Sequence, residues 1–277
     1  MTQTKDKPLL QRPTFSGIRT VVLAGGRGTR LAPYTTIFPK PLVPVGEYPI
    51  IELILRQLIA QGFCDVTLTL GHMAELIKAY FMQRPGLTSR LRLSYTQEER
   101  PTGTAGSLAC VPGLDQAFLV MNGDVLTTLD YRQLVQFHRE QRAALTIAMH
   151  RHRVKIDLGV LQVDAQNRIV DYQEKPEAEH LISMGIYVYE PHVLKYIDAN
   201  VYLDFPSLVL KLLNAGERVM GYPSDARWLD IGQPEDYHRA LKEFEEHKEE
   251  YCANFSIAQD DDFPRLILTS AAEQRPA

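Results

Sequence analysis

The 277-residue chain has three cysteines, Cys64, Cys110 and Cys252, scattered and without a CxxC pair. A disulfide framework or a cysteine zinc site is thereby excluded as the basis of the fold, and a reducing cytoplasm fits best. Long apolar runs are missing too: none approaches the roughly 20 residues that span a bilayer. The first residues, MTQTKDKPLLQRPTF, have no secretory apolar segment. Positive charge is not in excess. The net charge is −4, so the basic footprint of a nucleic-acid partner is lacking. No internal repeat and no linker divides the chain. No hexapeptide pattern follows residue 245, so a β-helix module is not expected there.

What remains is ordinary soluble composition, 45% hydrophobic and 23% charged, in a chain long enough to bury a large core. Apolar β-type runs alternate with helical patterns. Residues 18–24, 65–70, 91–95, 117–124 and 144–150 read as strands, and 49–62, 73–81, 104–111 and 131–141 as helices. Proline opens the 49–62 helix and Gly62 stops it. This alternation predicts an α/β fold with a mostly parallel sheet covered on both faces. From about residue 157, close-spaced strands suggest antiparallel additions. Helices over 205–216 and 234–250 follow, with a strand between them near ERVMGY. One domain over 18–250 is expected, with a polar arm at 1–17 and a tail at 251–277.

The stretch LAGGRGTRL, residues 23–31, follows a buried strand. A glycine loop between strand and helix lets backbone N–H groups approach an anion, and the helix dipole adds to this. GxGxxG fails because Leu31 stands at the third glycine, which argues against a dinucleotide oxidoreductase. The P-loop fails because no lysine has the required spacing. A tight strand–helix turn is the plain alternative. Arg27 and Arg30 weigh towards phosphate, which a guanidinium binds bidentately. In FPKPLVPV, Lys40 sits between prolines that stiffen the loop, as either a positioned or a merely solvated cation. Asp124 ends an apolar strand, where α/β folds bind ligands, although a turn residue would read the same.

LAGGRGTRLAP and FPKPLVPV, followed in order by GTAGSL, NGDV, LGV, EKP, MGIYVYEP and WLDIG, resemble the sugar-1-phosphate nucleotidylyltransferases over about residues 18–245. The motifs sit closest to mannose-1-phosphate or heptose-1-phosphate guanylyltransferases. The resemblance implies a Rossmann-like mixed sheet, mostly parallel and flanked by helices, with antiparallel additions forming the sugar side. It implies transfer of a nucleotidyl group from a nucleoside triphosphate to a sugar 1-phosphate. Leu23, Gly25, Gly26, Gly28 and Thr29 would cradle the nucleotide. Arg30 would hold the departing phosphates, and Lys40 the charge near the α-phosphate. Asp124 and Asp230 would hold Mg2+. Lys175 would pair with the sugar phosphate, Glu174 would accept from sugar hydroxyls, and Gly159 would let the backbone approach the sugar. Ser183 stands where many relatives carry asparagine, which leaves the sugar open. A homo-oligomer is compatible with the resemblance.

The same resemblance places the base beside Gly103 and Thr104, with Glu98 five residues before Gly103. Guanine offers two donors that suit a carboxylate, whereas uracil sets acceptors against it. GTP is therefore favoured, with UTP or dTTP the alternative and Glu99 a rival contact. A non-catalytic homologue is the other reading, against which Arg30, Lys40, Asp124, Lys175 and Asp230 are all present. His150 and His152 share a strand face and read as solvent-exposed, and Trp228 as core behind Asp230.

Overall fold

A computed structural model describes residues 17–98 and 100–253. Almost all of the expected arm and tail, and Glu99, lie outside the described residues. In chain order, β1 (Arg19–Ala24) leads through a long loop to the short pair β2 (Pro44–Val45) and β3 (Tyr48–Pro49), then to α1 (Ile50–Ala60). Next come β4 (Asp65–Leu70), α2 (Ala74–Met82), α3 (Pro85–Thr88), β5 (Arg92–Gln97) and α4 (Gly103–Gly106). Then follow β6 (Phe118–Asn122), β7 (Val125–Thr127), α5 (Tyr131–Gln141), β8 (Leu145–Lys155), β9 (Val160–Val163), β10 (Ile169–Gln173) and β11 (Glu177–Tyr189). The last are α6 (Phe205–Asn214), β12 (Val219–Ser224), β13 (Trp228–Asp230), α7 (Pro234–Glu246) and α8 (Lys248–Tyr251).

Seven strands form the main sheet in the order β12-β8-β11-β6-β1-β4-β5. β1 runs parallel to β4 and β6, β4 to β5, and β12 to β8. Only β11 runs against its neighbours β6 and β8 in this sheet. The mostly parallel sheet with an antiparallel addition is thus present. Its central strands are apolar on both faces because successive side chains enter different layers. Val22, Met121 and Ile186 join the core cluster that contains α1 and α5, while Val21, Val120 and Tyr187 join the one that contains α6. Each fully buried side chain of this size stabilises the fold by about 1.5–3 kcal/mol before entropy is counted.

Local signals explain the element ends. Gly62, at φ 90°, closes α1 in a Schellman arrangement: Gly62 N–H donates to Ile59 O at 3.0 Å and Phe63 N–H to Leu58 O at 2.9 Å. Asp130 caps α5 by accepting from Arg132 N at 2.9 Å and Gln133 N at 3.3 Å. Two expectations need correction. The glycine loop enters a single 3-10 turn, Thr29–Leu31, and no α-helix follows until Ile50. Pro33 holds Ala32 at φ −57°, ψ 144°, outside helical space, so no helix dipole serves the loop. The helix expected over 104–111 is α4 followed by a 3-10 turn, Ser107–Cys110. Its backbone is pressed against another loop: a Cβ on Gly103 would lie 2.5 Å from Leu203 O, and one on Gly106 2.9 Å from Val201 O.

The far half of β8, together with β9, β10 and the near half of β11, forms an exposed arm. β7 and β13 make a separate antiparallel ribbon that pairs Val125 with Asp230. Among the described residues no helix is long and apolar enough to cross a membrane.

Candidate active site

A cleft of about 340 Å³ opens at the carboxyl ends of β1, β4, β5 and β6, where open parallel sheets place their ligands. Leu23, Gly25, Gly26, Arg30, Lys40, Glu98, Gly103, Thr104, Asp124 and Asp230 all line it. Residues up to 207 positions apart in sequence thus meet around one space, Leu23 and Asp230 being the extremes.

The glycines explain how close the walls come. A Cβ on Gly71, after β4, would lie 2.5 Å from Gly25 O, so the two strand ends are in direct backbone contact. Gly28, at φ +65°, lets its loop fold back on itself. A Cβ there would stand 2.9 Å from Lys40 Cβ, and Thr35 Oγ1 donates to Gly28 O at 2.7 Å. Gly28 and Thr29 therefore shape the loop, and neither lines the cleft. Lys40 is consequently well buried, 9% exposed, with its ammonium paired to Asp124 Oδ2. The positioned cation, not the solvated one, is what the structure contains.

The β7–β13 ribbon brings the two aspartates together. Ile231 N–H donates to Asp124 O at 3.1 Å, beside the Asp230–Val125 register pair. Burial, and then the charge of Asp124, push the Asp230 carboxyl above the usual carboxylate range, with Lys40 and Arg30 pulling it back. Asp230 opens to the cleft, but its surroundings still exclude much of the water that would stabilise its charge. Asp124 Oδ1 is buried and has no hydrogen-bond partner among the described residues. Two hard carboxylates close enough to repel each other, one of them with an unpartnered oxygen, fit a divalent cation such as Mg2+.

At the other end, Glu98 N–H donates to Leu70 O at 3.1 Å, which fixes its backbone at the rim of the sheet. Its Oε1 accepts from the Thr102 hydroxyl. Gly103, at φ +85°, turns the chain beside it.

The residues assigned to the sugar 1-phosphate do not line the cleft. Gly159, Glu174 and Lys175 are exposed on the arm. Tyr172 OH donates to Glu174 Oε2 at 2.7 Å, and a Cβ on Gly159 would collide with the same hydroxyl at 2.3 Å. Ser183 lies nearer: its hydroxyl donates to Tyr187 OH at 3.3 Å and accepts from Gly185 N–H at 3.2 Å.

Several residues escaped the sequence reading. Asn122, Gly123 and Ser107 line the cleft, although all three stand inside the quoted motifs NGDV and GTAGSL. Thr69 lines it with no local signal, since it reads as one more strand residue. Tyr187 is buried and its hydroxyl is pushed up to about 12, chiefly by burial, with Asp124 and Asp230 adding to the effect. Trp228 Nε1 donates to Met184 O at 2.8 Å and so ties β13 to β11. The expectation for the histidines holds for His152 only. His150 is half-buried, with its ring 5.7 Å from that of Trp228 and Nδ1 buried without a partner among the described residues. Trp228 crossing from β13 covers this end of the strand face.

The nucleotidyl transferase family model matches residues 19–247. The chain is 32% identical over 245 residues to a UTP--glucose-1-phosphate uridylyltransferase of Synechocystis, covering 81% of this chain and 63% of that protein. It is 34% identical over 231 residues to a mannose-1-phosphate guanylyltransferase of Mycobacterium tuberculosis, covering 80% of this chain and 63% of that one. The chain thus spans about 63% of the length of both relatives. Among solved structures, HddC from Yersinia pseudotuberculosis superposes with a TM-score of 0.63 at 24% identity, over 82% of this chain and 99% of that one, a likeness of fold. With its motifs in order, its sheet and its cleft in place, the chain belongs to the nucleotidyl transferase family.

Proposed function

We propose that this cleft transfers a nucleotidyl group from a nucleoside triphosphate to a sugar 1-phosphate. The observation that carries the reading is the convergence of Arg30, Lys40, Asp124 and Asp230 beside the Gly25–Gly26 backbone. An oxygen of the sugar phosphate attacks the α-phosphorus. The bond from that phosphorus to the bridging α–β oxygen breaks, and pyrophosphate leaves with the electron pair. The nucleophile is already ionised near neutral pH, so the barrier is set by alignment and charge, not by proton removal. The Gly25–Gly26 backbone cradles the triphosphate. Arg30 holds the departing phosphates, and Lys40, fixed by its packing against Gly28, offsets charge as the α-phosphorus is attacked. Asp124 and Asp230 would hold Mg2+. A bound ion of this kind neutralises phosphate charge and polarises the phosphoryl oxygens. On the arm, the family motif assigns Lys175 to the sugar phosphate and Glu174 to the sugar hydroxyls, and residues 18–250 form the working domain.

GTP is the favoured nucleotide. A carboxylate at Glu98 accepts from the two donors of guanine, and one relative is named a guanylyltransferase. UTP or dTTP is the second reading, favoured by the relative named a uridylyltransferase. The deciding experiment incubates the protein with ATP, CTP, GTP, UTP or dTTP and a panel of sugar 1-phosphates, and measures pyrophosphate. Release with GTP supports the full reading, and release with UTP or dTTP only removes the guanine assignment. No release with any pair leaves a nucleotide-sugar-binding protein without the activity.

A further inference from the structure

We propose that Thr102 sets base selectivity by holding the Glu98 carboxylate in place, an inference that rests on the nucleotide reading of the cleft. Thr102 is 2% exposed, and its hydroxyl donates to Glu98 Oε1. The other oxygen, Oε2, is turned towards the glycine loop, 3.6 Å from where a Cβ of Gly25 would stand. Oε1 is therefore held by the protein with a lone pair still free to accept, and Oε2 is left facing the cleft. A glutamate has three side-chain torsions, and an unheld carboxylate at a cleft wall would sample several of them. The hydrogen bond removes that freedom before a ligand arrives, and it keeps Oε1 in use as an acceptor.

The hydroxyl is not needed to build the turn. Thr102 O accepts from Leu203 N–H at 2.8 Å, and Leu203 O accepts from Ala105 N–H at 3.0 Å and Gly106 N–H at 2.9 Å. Phe205 N–H donates to Thr104 Oγ1 at 2.9 Å. The backbone of the base loop is thus anchored on residues 203–205 whatever side chain stands at 102. Thr102 acts on the ligand through Glu98 and is a positioning residue.

Thr102→Val keeps the shape and removes the hydroxyl, while Thr102→Ser keeps the hydroxyl. The readout is the ratio of GTP to UTP affinity by calorimetry, together with the same ratio in kcat/KM. For Thr102→Val the ratio moves about tenfold towards unity, as expected for loss of a hydrogen bond to a charged group. For Thr102→Ser it stays within about twofold of the parent, and KM for the sugar 1-phosphate is unchanged in both. In a Glu98→Ala background, Thr102→Val produces no further change. An unchanged ratio in Thr102→Val, equal loss in Thr102→Ser, or no base preference in the parent overturns the proposal. Because binding is measured without turnover, failure of the catalytic reading shows separately, as absent pyrophosphate with the binding ratios intact.

Discussion

At the scale of single residues, the cleft is organised around converging charges, of which Lys40 is buried, Asp124 half-buried, and Arg30 and Asp230 open to the cleft. Asp124→Asn keeps the size of the side chain and removes one of two carboxylates that would hold Mg2+. We expect turnover to fall by about 10² or more, as for loss of a strong electrostatic stabiliser, and EDTA to abolish pyrophosphate release by the parent protein. Full activity in chelator would remove the metal from the reading. Lys40 is buried against Gly28 and paired with Asp124, so it is positioned before substrate binds. Lys40→Ala and Arg30→Ala should therefore lower kcat more than they raise KM for the nucleotide. Steady-state kinetics showing only a KM effect would make both simple binding residues. Glu98→Gln should lower kcat/KM for GTP by about tenfold relative to UTP, since a paired contact to a base edge is worth about 1–3 kcal/mol.

At the scale of elements, α5 shows how a buried titratable group constrains stability. His138 on α5 is fully buried and its Nδ1 lies 2.8 Å from Thr146 Oγ1 on β8. Burial pushes its imidazole below the ordinary histidine range, and the nearby Glu190 carboxylate opposes that push without overcoming it. The folded state therefore binds this proton less readily than the unfolded chain does. Its contribution to stability is present above about pH 6.5 and is lost as pH falls through the lower, folded value. Between pH 7 and pH 5, His138→Gln should show a smaller loss of Tm than the parent does. Parallel slopes in thermal melts at several pH values would show that His138 does not drive this part of the acid response.

At the scale of the whole molecule, the described residues divide into a core sheet with its cleft and an exposed arm carrying Gly159, Glu174 and Lys175. The side proposed for the nucleotide and the side the motif assigns to the sugar are thus built on different parts of the chain. Lys175→Ala should raise KM for the sugar 1-phosphate about tenfold or more, as for loss of a charge-assisted contact, and leave KM for the nucleotide within about twofold. Equal effects on both substrates would place Lys175 at the nucleotide. The expected stability cost is small, because the residue is exposed and no core packing depends on it.

The sequence by itself determined what depends on neighbours a few residues away. Val21 and Val22 make a strand buried on both faces, Gly62 ends α1, and Gly25, Gly26 and Gly28 announce a loop with close backbone approach. The motif order was enough to name the family, and it singled out Lys40, Asp124 and Asp230, which the fold brings to one cleft. Tertiary structure decided which of these residues share one space. The ribbon of β7 and β13 joins residues about 100 positions apart, and only that pairing sets Asp230 beside Asp124. Thr69 carries no local signal, and Tyr187, although it stands inside the motif MGIYVYEP, is distinguished only by the carboxylates it faces. The same holds for Thr102, whose contact with Glu98 needs the turn at Gly103 and the support of Leu203. Periodicity and turn chemistry act over a few residues, whereas a site is assembled by long-range packing whose partners no short stretch of sequence contains.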